Sequence, residues 1–234
     1  MSKSLRVVFM GTPAFAVPGL GSIIESQHEL VGVVTAPDRP AGRGKKLRLS
    51  AVKEAALEYN IPIFQPEKLS SDDTVAQLEA LEADVFVVVA FRMLPKVVWE
   101  LPQLGTFNLH ASLLPQYRGA APIHWSIING EQVSGLTTFL IDAKIDTGAI
   151  LLQKKLYILA DDTMGTLSER MQAQSGELII ATLNGLASGT LKPMPQQEAA
   201  AINTAPKLSR ENTQIDWCKP CLLYTSDAAD DIPG

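Results

Sequence analysis

Short apolar runs alternate along this chain with longer amphipathic stretches, and the two differ in period. Leu5–Met10, Leu30–Thr35, Ile61–Phe64 and Asp84–Ala90 are apolar almost throughout, the last rich in β-branched residues. Runs this short with little in–out alternation predict strands buried on both faces, as in a parallel sheet. Helical spacing predicts a helix ahead of Leu30, another over Ser50–Tyr59 with Ser50 as N-cap, and an amphipathic one over Asp72–Leu81. Phe107–His110, Thr137–Ile141 and Ile150–Ile158 predict further strands. Ile123–Ile128 predicts a short helix, and Thr163–Ala187 a long one closed by Gly185 and Gly189. Strands alternating with helices predict an α/β fold: a Rossmann-like, doubly wound, mostly parallel sheet with helices on both faces.

One stretch breaks the apolar pattern where a sheet of this kind places its chemistry. Phe107–Pro122 reads Phe-Asn-Leu-His-Ala-Ser-Leu-Leu-Pro-Gln-Tyr-Arg-Gly-Ala-Ala-Pro. At strand period, Asn108 and His110 project from one face while Phe107 and Leu109 project from the other. An amide and an imidazole at the end of an otherwise apolar strand are costly to bury without purpose, and strand carboxyl ends are where open α/β sheets bind ligands. The segment breaks at Pro115 and turns through Arg118-Gly119 into an Ala-Ala-Pro helix start. An isolated histidine is more often a core residue with a backbone partner. The acidic loop Ile141–Gly148, containing Asp142 and Asp146, supplies a second polar cluster between apolar runs, although Asp-Thr-Gly is also an ordinary turn. The first strand ends in Gly11-Thr12-Pro13, which has neither the spaced glycines of a dinucleotide fingerprint nor a phosphate-loop Gly-Lys-Ser/Thr.

The 234 residues allow one large domain, or one domain and a fragment, and the composition is that of a soluble globular protein, 46% hydrophobic and 19% charged. No apolar run is long enough to span a bilayer, and the first residues do not resemble a secretory signal, so the expected compartment is the cytoplasm. Cys218 and Cys221 form one Cys-x-x-Cys, half of a zinc site at most. A net charge of −5 argues against a general nucleic-acid coat. Yet Pro37–Arg48 gathers Arg39, Arg43, Lys45, Lys46 and Arg48 into a Gly/Pro-rich loop. Such a loop is commonly just solvated, but glycine-spaced cations can also follow a phosphate backbone.

Taken in order, Asn-x-His-x-Ser-Leu-Leu-Pro-x-Tyr-Arg-Gly-Ala-x-Pro and then Asp-Thr-Gly resemble the catalytic signature of the folate-dependent formyltransferases, over roughly residues 3–217. The resemblance implies formyl transfer from 10-formyltetrahydrofolate to an amine, with Asn108, His110 and Asp146 catalytic and no metal or covalent nucleophile. It implies folate contacts from Phe91, Arg92, Met93 and Leu94, where the commoner family form carries a Tyr-Gly and one further residue. Ser112, Leu113, Leu114, Pro115, Ile141 and Asp142 complete that expected pocket. No His-Asp relay is legible around Ser112, which reads as structural or substrate-positioning. The basic loop resembles the acceptor-arm-binding insertion of the members that formylate methionyl-tRNA, so initiator methionyl-tRNA is the expected partner, with Arg39, Arg43, Lys45, Lys46 and Arg48 on it. The expected protein is a monomer that binds neither membrane nor DNA. Alternatives are formylation of a small amine (glycinamide ribonucleotide or an amino-sugar nucleotide) and a non-catalytic folate- or RNA-binding module. The expected organisation is a catalytic domain over 1–207 and the start of a linker over 208–220. Residues 221–234 resemble the translation of a sequencing adapter, which would be a non-native tail standing where the family continues into a β-barrel domain.

Overall fold

The computed structural model describes residues 3–41, 46–197, 201–214 and 217–218, with backbone alone for residues 40, 41, 46 and 47. In chain order the main elements are β1 (Arg6–Gly11), α1 (Val17–Ile24), β2 (Glu29–Val34), β3 (Arg39–Ala41), β4 (Lys46–Arg48), α2 (Ala51–Glu58), β5 (Ile63–Phe64), α3 (Asp72–Glu79) and β6 (Val85–Val89). They continue with α4 (Lys96–Trp99), β7 (Thr106–His110), β8 (Arg118–Gly119), α5 (Pro122–Ile128), β9 (Val133–Leu140), β10 (Ile150–Tyr157), α6 (Met164–Ala187) and β11 (Thr204–Ala205). Seven strands form one sheet in the order β10-β9-β7-β6-β1-β2-β5. From β5 to β7 every pairing is parallel, and β9 and β10 are added antiparallel at one edge. This is the expected doubly wound sheet.

Because side chains alternate across a strand, the sheet divides the apolar residues into two cores. Val7, Phe9, Val85, Val87, Phe107 and Leu109 pack on one face with residues of α1, α2 and α6, including Leu20, Val52, Met171 and Ile179. Val8, Met10, Phe86 and Val88 pack on the other with Leu78 of α3 and Val98 of α4. Phe107 and Leu109 thus turn into a core, and Asn108 and His110 are directed to the opposite face, as period two requires. The α2 cap is also as expected: the Ser50 hydroxyl accepts from the Lys53 N–H at 3.0 Å.

Three features differ from the sequence reading. The strand expected over Thr137–Ile141 begins at Val133, because antiparallel pairing with β10 extends it through the polar Ser134 and small Gly135, which periodicity alone does not credit. Residues 39–41 and 46–48 are not plain loop: β3 and β4 pair antiparallel, with Arg39 opposite Arg48. Arg118-Gly119 is not simply a turn, since it pairs in parallel with Thr204–Ala205 from the far end of the described chain. That pairing needs a glycine. At φ +130° Gly119 lies where side chains are rarely accommodated, and a Cβ there would sit 2.3 Å from the Ala205 carbonyl oxygen. No helix among the described residues is long and apolar enough to cross a membrane.

Candidate active site

The site is built at the carboxyl end of β7. His110 is buried, 6% exposed, and its Nε2 lies 2.9 Å from the Tyr117 carbonyl oxygen. A carbonyl only accepts, so Nε2 carries the proton and Nδ1 is the nitrogen free to gain one. Nδ1 faces Asp146, with Oδ2 at 3.8 Å. That is too long for a hydrogen bond but close enough for a strong charge interaction once the ring is cationic. Asn108 lies two residues earlier on the same face, so about 6–7 Å separates the two positions along the strand. Asn108 is half-buried, and its amide makes no hydrogen bond to another described residue.

Asp146 reaches this site through a specially shaped loop. Its backbone adopts φ +54°, a left-handed conformation that aspartate tolerates better than most residues. Asp142 closes the loop from within, accepting from the Lys144 N–H at 3.0 Å and from the Thr147 hydroxyl at 2.8 Å. At Gly148 a Cβ would fall 1.6 Å from the Leu140 carbonyl oxygen, so only glycine lets the loop fold back on β9. The Asp146 carboxylate accepts the Gly119 N–H at 2.9 Å. Gln196 then bridges the loop to the Arg118 side chain, donating to the carbonyls of Asp146 and Gly148 at 2.9 and 2.8 Å. No sequence signal marked Gln196, which lies in a polar, aperiodic stretch.

Tyr117, whose carbonyl orients His110, is also tightly held. Its backbone is left-handed at φ +59°, its N–H donates to the Asn203 carbonyl at 2.6 Å, and its hydroxyl donates to the Glu131 carboxylate. Burial, followed by that carboxylate, pushes the phenol above its ordinary pKa. A cavity of about 350 Å³ lies beside it, lined by Leu113, Gln116, Tyr117, Glu131 and Asn203 among others. It does not include Asn108, His110 or Asp146.

The residues expected to meet a folate are divided. Met93 is 73% exposed, Phe91 is half-buried, and the Arg92 guanidinium lies 5.7 Å from the Phe91 ring centre while donating to the carbonyls of Glu67 and Pro66. Leu94 packs into the core between the sheet and α3–α4. Leu114 packs with Phe139 and Ile150. The Ser112 hydroxyl is fully buried and donates to the Gln116 carbonyl at 2.6 Å, so its structural role is the one visible. Leu113 and Pro115 are half-buried on the same segment, and Ile141 is tied to β7 by its N–H to the Thr106 carbonyl at 2.8 Å. In the β3–β4 pair Arg39 and Arg48 are exposed and stand opposite in register. Arg43 and Lys45 lie outside the described residues, as do the side chain of Lys46, the second cysteine of Cys218-x-x-Cys221 and the tail 221–234.

Residues 5–183 match the family model described as Formyl transferase. The chain is 52% identical over 217 residues to the methionyl-tRNA formyltransferase of Flavobacterium johnsoniae, covering 93% of this chain and 69% of that protein. It is 45% identical over 215 residues to the enzyme of the same name from Thermodesulfovibrio yellowstonii, covering 92% and 69% respectively. Among solved structures, phosphoribosylglycinamide formyltransferase from Bacillus halodurans aligns with a TM-score of 0.66 at 26% identity, covering 79% of this chain and 96% of that one. An N-formyltransferase from Helicobacter canadensis, in complex with folinic acid and dTDP-3-aminofucose, aligns with a TM-score of 0.68 at 22% identity, covering 95% and 78%.

Proposed function

Since this chain belongs to the formyl transferase family, we propose that it moves the formyl group of 10-formyltetrahydrofolate onto the amino group of initiator methionyl-tRNA, a step of translation initiation. The observation that carries the chemistry is the approach of the Asp146 carboxylate to His110 Nδ1 at 3.8 Å, with Asn108 two residues earlier on the same strand. The choice of methionyl-tRNA is supported by relatives of that name that are 45–52% identical over more than nine-tenths of the chain. The likeness to the ribonucleotide- and sugar-formylating enzymes is weaker, at 22–26%. Residues 1–207 act as the catalytic unit on this reading.

The folate co-substrate supplies a formyl carbon activated on nitrogen. Asn108 has an uncommitted amide N–H to donate to the formyl oxygen as negative charge gathers there. His110, protonated on Nδ1, donates to the same developing charge and stays cationic beside Asp146. As the new C–N bond forms, the Asp146 carboxylate accepts the proton leaving the attacking amine, directly or through water. The carbon–nitrogen bond to the folate breaks as Asp146 gives that proton up, directly or through water, to the departing nitrogen, so one N–H is lost, one is gained and the carboxylate is restored. Phe91, Met93 and the Ile141–Asp142 segment flank the position the folate takes on this reading, with Leu94, Ser112, Leu114 and Pro115 setting its shape from beneath.

For the tRNA, the β3–β4 pairing favours an anionic partner. Arg39 and Arg48 stand directly opposite, and like charges so placed repel unless an anion lies between them. Arg43, Lys45 and Lys46 extend the cationic stretch along the intervening sequence. The test offers the chain formyl-folate with charged initiator tRNA, glycinamide ribonucleotide or an amino-sugar nucleotide, and measures formylated product. Formylation of the tRNA alone is the expected result. Preferred turnover of either small amine would overturn the assignment.

A further inference from the structure

Gln196 belongs to none of the motifs that carry the family resemblance, yet it sits between the two segments that bear the catalytic groups. Its Oε1 accepts from Nε and a terminal nitrogen of Arg118 at 3.0 and 2.6 Å, and its Nε2 donates to the carbonyls of Asp146 and Gly148. The orientation of the amide is unambiguous. A guanidinium only donates and carbonyls only accept, so all four capacities of the side chain are used in one arrangement. These bonds close a ring. Arg118 adjoins Gly119, whose N–H holds the Asp146 carboxylate at 2.9 Å, while Gln196 holds the backbone of the same aspartate. The backbone so held is the left-handed one at φ +54°, a conformation that persists in a non-glycine residue when its surroundings over-determine it.

We propose that Gln196 is a positioning residue for formyl transfer, fixing the Asp146 loop so that its carboxylate faces His110 Nδ1. This rests on the reading that Asp146 and His110 act together, and it adds the element that sets their distance. A carboxylate hinged on a loop of exposed residues such as Lys144 and Ile145 would otherwise sample positions in water. The clamp removes that freedom before substrate arrives.

The test compares Gln196→Ala and Gln196→Glu with the unaltered chain, reading kcat, KM for each substrate and the amide resonance of Gly119. Glutamate preserves the acceptor for Arg118 but presents no N–H to the two carbonyls. Both variants are expected to lose about 10- to 100-fold in kcat, the scale of a small misplacement of a catalytic group. KM for folate and tRNA should stay within about twofold, since the Gln196 amide bonds to the protein's own backbone and to Arg118 and not to either substrate. The Gly119 amide should move upfield as its bond to the carboxylate weakens. Wild-type kcat in Gln196→Glu, a raised KM with kcat preserved, or an unmoved Gly119 amide in both variants would each overturn the proposal. The Gly119 signal reads the carboxylate's placement without turnover. A chain inactive toward every amine would therefore refute the proposed function while leaving this test to run.

Discussion

Replacing Asp146 with asparagine separates charge from shape at the centre of the site. Asparagine tolerates the left-handed backbone at φ +54° as aspartate does, and its side-chain oxygen can still accept the Gly119 N–H now held at 2.9 Å. What is removed is the negative charge 3.8 Å from His110 Nδ1, between side chains only 7% and 15% exposed. At that separation and an effective dielectric constant of about 20, a full charge pair is worth about 4 kcal/mol. Every ~1.4 kcal/mol taken from transition-state stabilisation is tenfold in rate, so kcat should fall by about 10³ from this effect alone. If Asp146 is the group that accepts the amine proton, as proposed, its loss adds to the fall, since general bases contribute roughly 10²–10⁴. The assay is steady-state formation of formylmethionyl-tRNA with both substrates saturating, alongside a thermal melt. The melt checks that the variant folds, since the hydrogen bond and the backbone survive, and any fall in melting temperature reads the part of the charge pair already present in the resting protein. A variant retaining a tenth or more of wild-type kcat would show that the Asp146 charge is not used in transfer.

Asn108→Ala removes the uncommitted amide and should lower kcat by about 10²–10³ with little effect on stability, measured by the same assay and melt. Arg43→Ala should weaken tRNA use without altering folate binding and should make the salt dependence of tRNA affinity shallower by ~0.7–0.9 log unit per log unit of salt; kinetics at several salt concentrations check this. His28 is buried with Nδ1 accepting the Leu5 N–H at 3.2 Å and Nε2 3.2 Å from the Asn184 side-chain oxygen, and burial, only partly offset by that Asn184 bond, lowers its pKa. The unfolded chain therefore takes up this proton first, so stability should decline as pH falls below about 6.5 and level off beneath the folded pKa. Urea midpoints across that range should fall for the wild type and be flatter for His28→Gln. Gly119→Ala should destabilise the β8–β11 pairing, by melt, because its Cβ has no room beside Ala205.

Much of this protein was legible from local pattern. The parallel core announced itself because strands buried on both faces have to be apolar at nearly every position, as Val85–Val89 is. The shared face of Asn108 and His110 follows from the two-residue repeat of a strand, and the Ser50 cap from a contact within three residues. Each of these depends on residues close in the chain, where geometry is set by backbone period. The resemblance added the roles, and with them the pairing of a motif at residue 108 with one at residue 146.

Tertiary structure decided how that pair is assembled. That the Asp146 carboxylate faces Nδ1, while Nε2–H is engaged by Tyr117, depends on two left-handed residues and on neighbours brought from across the sheet. The Gln196 bridge and the pairing of Arg118–Gly119 with Thr204–Ala205 join segments 48 to 86 residues apart through polar contacts. Short polar segments carry no hydrophobic period, and their partners are chosen by where the packed sheet and α6 leave the chain. Local sequence therefore determined the strand that carries Asn108 and His110, and only the closed fold determined the Gln196 bridge to the Asp146 loop, because long-range hydrogen bonds are specified by position in space and leave no repeat along the chain.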